Sequence, residues 1–206
     1  MKHLSTLLST AAVLAFGAAC CTSDDQTGNP QPIGLPAPAA DRIFVTDTSG
    51  YVAGVGAAVP GAPDGTEVVV DVISGGASAQ RYRSAVNADG SFLVEASFSS
   101  GQKLEIFAEL GQQTGAKISI DVLPFDPLPT PLVVTDVSTA TDGRATVSGT
   151  WRPNVDVIAG NRDRGSATSG KTDAAGAFSI AIEAAAGDRL VVFGRGSGGF
   201  VERQVP

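Results

Sequence analysis

Residues 87–108 read NADGSFLVEASFSSGQKLEIFA, and residues 173–194 read DAAGAFSIAIEAAAGDRLVVFG. At a constant offset, Gly90 falls on Gly176, Phe92 on Phe178, Val94 on Ile180, Gly101 on Gly187, Leu104 on Leu190, Ile106 on Val192 and Phe107 on Phe193. In the first stretch Phe92, Val94, Ala96 and Phe98 alternate with Ser91, Leu93, Glu95 and Ser97. In the second, Phe178, Ile180 and Ile182 alternate with Ala177, Ser179, Ala181 and Glu183. Successive side chains of a strand point to opposite faces, so this period of two marks a half-buried strand. Working outward, the match loosens: VPGAPDGTEVVVDV aligns with VSGTWRPNVDVIAG through Gly61 and Gly149. The chain therefore carries one unit twice, over residues 42–123 and 132–206, with the proline-dense segment 124–131 (PFDPLPTP) as a stiff spacer.

Turn signals recur every 8–12 residues, at Ala88-Asp89-Gly90, Ser100-Gly101, Asp142-Gly143, Ala175-Gly176 and Gly187-Asp188. Short strands at that spacing predict an all-β fold of two tandem sandwiches, each of about seven strands. No cysteine lies in either unit, since the two in the chain are Cys20 and Cys21. Each unit must be stabilised by apolar burial without a disulfide, and about 80 residues suffice for that.

The pattern V-x-G-T, V-x-V, T-D-A-x-G-x-F-S-x-x-I, A-G-D-x-L-x-V is carried here by Val147, Gly149, Val155, Val157, Thr172, Asp173, Gly176, Phe178, Ile182, Gly187, Asp188, Leu190 and Val192. It resembles bacterial immunoglobulin-like domains and the carboxypeptidase regulatory-like, prealbumin-type sandwiches. The resemblance covers most of the second unit and the latter half of the first. It implies a β-sandwich and leaves the role open among spacer, adhesin segment and binding module.

The chain opens MKHLSTLLSTAAVLAFGAACC. A short basic start, an apolar run too short to span a bilayer, and small residues before a cysteine read as an export signal over residues 1–19. It resembles a bacterial lipoprotein signal, although Gly17 stands where that family usually has leucine. The resemblance implies acylation of Cys20, with Cys21 as the other candidate, and a membrane as first partner through the lipid. Ordinary secretion is the alternative. Residues 20–41, polar and then rich in Pro and Ala, lack either period and are expected to form a lipidated, disordered tether.

The only histidine is His3, inside the export signal. That excludes Ser-His-Asp and Cys-His catalysis and His- or Cys-based zinc sites from the mature chain. The balance of 14 basic and 21 acidic side chains, net −7, argues against nucleic acid as a partner. GSATSGKT, Gly165–Thr172, matches G-x-x-x-x-G-K-[ST]. A phosphate loop needs a helix directly after it, and DAAGAFSIAIEA is a turn followed by a strand, so no nucleotide is expected. Asn87, Asp89 and Asp173 at hairpin tips have oxygen donors for calcium, but turn chemistry accounts for them, and Ala175, standing where the first unit has Asp89, breaks the cluster. Tyr51 and Tyr82 with Glu95, Glu105 and Glu109 raise paired-carboxylate glycosidase chemistry only faintly.

Four residues of the second unit stand as possible partner-binding groups. Trp151, the single tryptophan, is either core or exposed beside Arg152, and an exposed Trp–Arg pair is typical of contact hot spots. Arg162 and Arg164 crowd one hairpin, where they are either solvated or contact an acidic partner. The sequence thus predicts a protein without catalysis, cofactor or metal, held at a bacterial envelope or cell surface as a spacer, structural or adhesive module. The alternative is a module that binds a surface glycan or an envelope protein through loops of the second unit.

Overall fold

A computed structural model describes residues 34–46, 50–74, 77–123, 131–194 and 199–206, and residues 34–206 form one compact unit. The expected export signal, both cysteines, the first part of the expected tether and all of the expected spacer except Pro131 lie outside the described residues. The architecture is all-β. In the first half, β1 (Ile43–Val45), β2 (Gly50–Gly54) and β5 (Phe92–Ala96) make one sheet, in the order β1-β2-β5. Facing it are β3 (Glu67–Ser74), β4 (Ala77–Ala85), β6 (Lys103–Leu110), β7 (Gln113–Thr114) and β8 (Ile118–Asp121), with β4-β3-β6 continued by β7 and β8. In the second half, β9 (Val133–Val137), β10 (Arg144–Thr150) and β13 (Ala177–Glu183) form the sheet β13-β10-β9. Its partner is β12-β11-β14-β15, from β11 (Asp156–Asn161), β12 (Ser166–Lys171), β14 (Arg189–Gly194) and β15 (Phe200–Gln204). Every pairing is antiparallel within one half. Both halves are immunoglobulin-like sandwiches in which the fourth strand pairs with the third, where the constant-type arrangement pairs it with the fifth.

The repeat is a repeat of topology. Gly90 and Gly176 adopt φ of 78° and 85°, and a Cβ at either would press on the backbone of Val59 or Trp151. The same turn closes in both halves: Val59 N–H donates to Gly90 O, and Trp151 N–H donates to Gly176 O. The upstream alignment through Gly61 and Gly149 is corrected. Gly149 pairs with Phe178 as Gly54 pairs with Phe92, and each glycine lies under the ring opposite it. Likewise Val70 pairs with Ile106 as Ala159 pairs with Val192, so Val70 corresponds to Ala159, one residue from the match that Gly61 implied. A slip of one residue in a strand exchanges its two faces. The first half spends three more residues than the second between Gly54 and Val59, three more between Val59 and Val70, and three more between Val70 and Gly90, and these insertions disguise the register.

Each sandwich has its own apolar core. Val52, Phe92, Val94, Val68, Val70, Leu104 and Ile106 fill the first, and Val147, Phe178, Ile180, Ile182, Val157, Leu190 and Val192 the second. Val122 and Val205 close equivalent ends, each returning a hydrogen bond to the turn at Gly101 or Gly187. The expected tether is shorter than residues 20–41. Leu35 is buried in the first core, Ala39 N–H donates to Ala58 O, and Ala40–Arg42 forms a 3-10 turn leading into β1. One large apolar side chain fixes this segment, because burying it is worth about 2 kcal/mol.

A third apolar cluster joins the two halves. Phe44, Tyr51, Ala53, Val55 and Leu93, from the outer face of β1-β2-β5, pack with Ile158, Ala167, Val191 and Phe193, from the outer face of β12-β11-β14-β15. The four sheets are therefore stacked, and the two inner ones are buried on both sides. This is why β2 is buried at every position and β13, in an outer sheet, at every second one.

Candidate functional site

Of the groups that the sequence offered for partner binding, Arg162 reaches the edge of this seam. The turn after β11 sends the Arg162 guanidinium across it to Glu95 Oε2 at 2.7 Å and Glu202 Oε1 at 2.6 Å. Glu95 belongs to the first sandwich and Glu202 to the second, so one cation bridges both. The guanidinium also lies 5.6 Å from the centroid of the Tyr51 ring. The Tyr51 hydroxyl donates to Glu202 at 3.1 Å. Burial, that hydrogen bond and nearby Glu95 all push the phenol well above its ordinary pKa, so it stays a donor. Asn87 Nδ2 adds a second link by donating to Gly165 O at 2.9 Å. Fully burying each Ile, Val or Phe is worth about 1.5–3 kcal/mol, whereas a part-exposed ion pair contributes about 1 kcal/mol or less. The apolar cluster holds the sandwiches together, and the Arg162 clasp fixes their registration.

Arg164 is used within the second sandwich. It reaches Asp188 at 2.8 Å and Glu183 at 2.9 Å. Asp188 also accepts from Ala185 N–H and from Asn161 Nδ2, and these contacts, led by Arg164, lower its carboxyl to about 2. Arg189 and Asp163 form a further pair across the same turn at 2.6 Å. Neither Arg162 nor Arg164 is a solvated cation awaiting a partner.

The exposed reading of Trp151 is corrected. Its side chain is 3% exposed and belongs to the second core, where it takes the place of Val59 and lies against Gly194. The larger ring fills the end of a sandwich whose corresponding loop is shorter. Arg152 covers the ring from outside, 4.5 Å from its centroid, so Trp151 presents no face to a partner.

The stretch Gly165–Thr172 lies in a turn and in β12, which is laddered to β11 from Ser166↔Asn161 to Lys171↔Asp156. Its backbone amides serve a hairpin, not a phosphate cradle. The Asp89 and Asp173 carboxylates accept backbone N–H groups of their own turns, at Ser91 and at Ala175 and Ala177. Glu105 and Glu109 are held on the outer face of the first sandwich by Lys117 and Arg83.

Tyr51, Tyr82 and Glu95 do come together, with three residues the sequence reading passed over: Gly50, Phe200 and Glu202. They line a cleft of about 560 Å³ at the seam. Phe200 meets the Tyr51 ring edge-to-face at 4.9 Å and 84° and keeps 39% of its surface exposed. A sequence signal existed for this cleft: in the edge strand FVERQ, Phe200 shares the face of Glu202, opposite the core-facing Val201.

No protein-family model matches the chain, and no curated protein matches it. Among solved structures, a domain of a biofilm-associated protein is similar over 84% of this chain and 29% of its own, with 18% identity and a TM-score of 0.35. A bacterial ice-binding adhesin is similar over 84% of this chain and 62% of its own, at 16% identity and a TM-score of 0.29. A two-domain fibronectin type III segment of chicken tenascin covers 82% and 95%, at 17% identity and 0.28. The chain spans less than a third of the first of these. Such likeness concerns sheet architecture alone.

Proposed function

We propose that this chain is a non-catalytic module of a bacterial envelope or cell surface, acting as a spacer, structural or adhesive element. It comprises an export signal over residues 1–19, a lipid on Cys20, a tether ending near residue 33, and two sandwiches over residues 34–123 and 132–206. The single observation that carries the reading is how its polar groups are used. The arrangement closest to an active site, Tyr51 with Glu95, Arg162 and Glu202, locks two sandwiches to one another. A docked pair resists bending at the junction better than two domains on a free linker. Palmitate labelling of cells expressing the chain tests the anchor. Label lost in Cys20→Ala supports it, and label retained there but lost in Cys21→Ala moves the lipid to Cys21. No label in the unsubstituted chain leaves a secreted protein.

A second reading, a module that binds glycan or protein, is favoured by the aromatic cleft. Its site is then the seam, not the loops around Trp151. A glycan array with an envelope pull-down tests it: saturable capture supports binding, and its absence leaves the spacer.

A further inference from the structure

The cleft at the seam has the chemistry of an amine receptor. We propose that it binds a primary alkylammonium group, carried by a lysine side chain or by an amino sugar. The inference rests on the second reading above and deepens it.

Three aromatic rings, from Tyr51, Tyr82 and Phe200, line one cleft with the carboxylates of Glu95 and Glu202. Its volume falls within the range of small-ligand sites. Phe200 is the one exposed aromatic side chain among the described residues, and Tyr51 braces it edge-on. A cation is attracted to the face of an aromatic ring, more strongly where water is partly excluded. The protein already uses that attraction here. Arg162 sits over Tyr51 and takes one oxygen from each carboxylate, Glu95 Oε2 and Glu202 Oε1. The second oxygen of each carboxylate is outside that bridge, and the side chains of Glu95 and Glu202 remain 64% and 51% exposed. A compact ammonium, with three donors and no planar fork, suits two oxygens that come from separate strands. The net charge of −7 draws cations toward the surface and repels anions. The cleft exists only while the sandwiches are docked, because Tyr51, Tyr82 and Glu95 come from the first and Phe200 and Glu202 from the second.

The purified chain is titrated by calorimetry with hexalysine, with a fully deacetylated glucosamine hexamer and with the N-acetylglucosamine hexamer. The expected result is saturable binding of at least one amine probe, weakening with salt, and at least about tenfold weaker binding of the acetylated hexamer. Phe200→Ala, Tyr82→Ala and Glu95→Gln should each lower that affinity about threefold to tenfold. Whichever amine probe binds identifies the carrier. Equal binding of the acetylated hexamer overturns the ammonium while leaving a glycan module standing. Amine binding unchanged in both Phe200→Ala and Tyr82→Ala overturns the cleft, as does no saturation by either amine up to about 10 mM. Envelope capture that persists in those two variants sinks this inference without sinking the binding module. A melting temperature recorded for each variant separates lost binding from lost fold.

Discussion

Two equivalent sheet faces have opposite fates. In the second sandwich the outer face of β12-β11-β14 carries Ile158, Gly160, Ala167, Val191 and Phe193, and all but Gly160 belong to the seam core. By register, the first sandwich has Val69, Asp71, Arg81, Glu105 and Phe107 in the same places. There Asp71 and Arg81 form a two-pronged ion pair at 2.6 and 2.7 Å, while Arg81 and Lys117 lie over the Phe107 ring. The apolar centre is kept, but long charged side chains cover it in place of a second domain. The reverse holds for the other sheets. Tyr51, Ala53 and Leu93 face the seam, and their counterparts Thr146, Ser148 and Ser179 face outward. The two halves are both apolar where side chains enter their own sandwich, and polar groups replace apolar ones around the centre of an outer face that is docked in one half and exposed in the other.

The strongest way to break this comparison is to write the charged face onto the docked one. Gly160→Asp with Ala167→Arg reproduces the Asp71–Arg81 pair. A Cβ at Gly160 would already stand 2.9 Å from both Leu93 methyls, so the carboxylate must push the seam apart. We expect a loss of at least about 4 kcal/mol and a single calorimetric transition split into two. Next comes the matched pair Phe193→Ala and Phe107→Ala. Both rings are buried, at 0% and 1% exposure. The first should cost about 3–5 kcal/mol by chemical denaturation. The second should cost about 2 kcal/mol, because flexible Arg81 and Lys117 can close over the gap. Equal losses would mean that the charged cover packs as well as a domain does.

A smaller effect should come from Asp188. Its carboxyl is lowered to about 2 by Arg164, Ala185 N–H and Asn161, so the folded state favours the charged form. That stabilisation is present above the ordinary carboxylate range and is lost as pH falls through it toward 2. Asp188→Asn should cost about 1–2 kcal/mol at pH 7 and flatten the acid limb of a melting-temperature profile. Smallest is Arg162→Ala, at about 1 kcal/mol, reduced further in high salt. A larger loss that salt does not weaken would make the clasp, not the apolar cluster, the main bond between the sandwiches.

Much of the fold was legible in particular residues. Alternation at Phe178, Ile180 and Ile182 gave strand and face together, and the paired turns at Gly90 and Gly176 gave the repeat. The seam was legible in part: Leu93 falls opposite Ser179 in the aligned halves, an apolar residue on the face that ought to be polar. The site was far less so. Arg162 has its partners 67 and 40 residues away, and no spacing rule connects them. For Trp151 the sequence left core and surface both open, since its burial depends on a shorter loop and on the space above Gly194.

By itself the sequence determined that each half folds as a sandwich. Strand period, turn residues and cross-strand partners all lie within about 80 residues and agree with one another. Which outer faces meet was decided only by the tertiary structure. A period of two tells one face of a strand from the other, but not whether the second face will find water or another sheet. The burial of Tyr51 and Leu93, the bridging role of Arg162 and the cleft beside Phe200 all follow from that docking, through contacts between residues far apart in the chain.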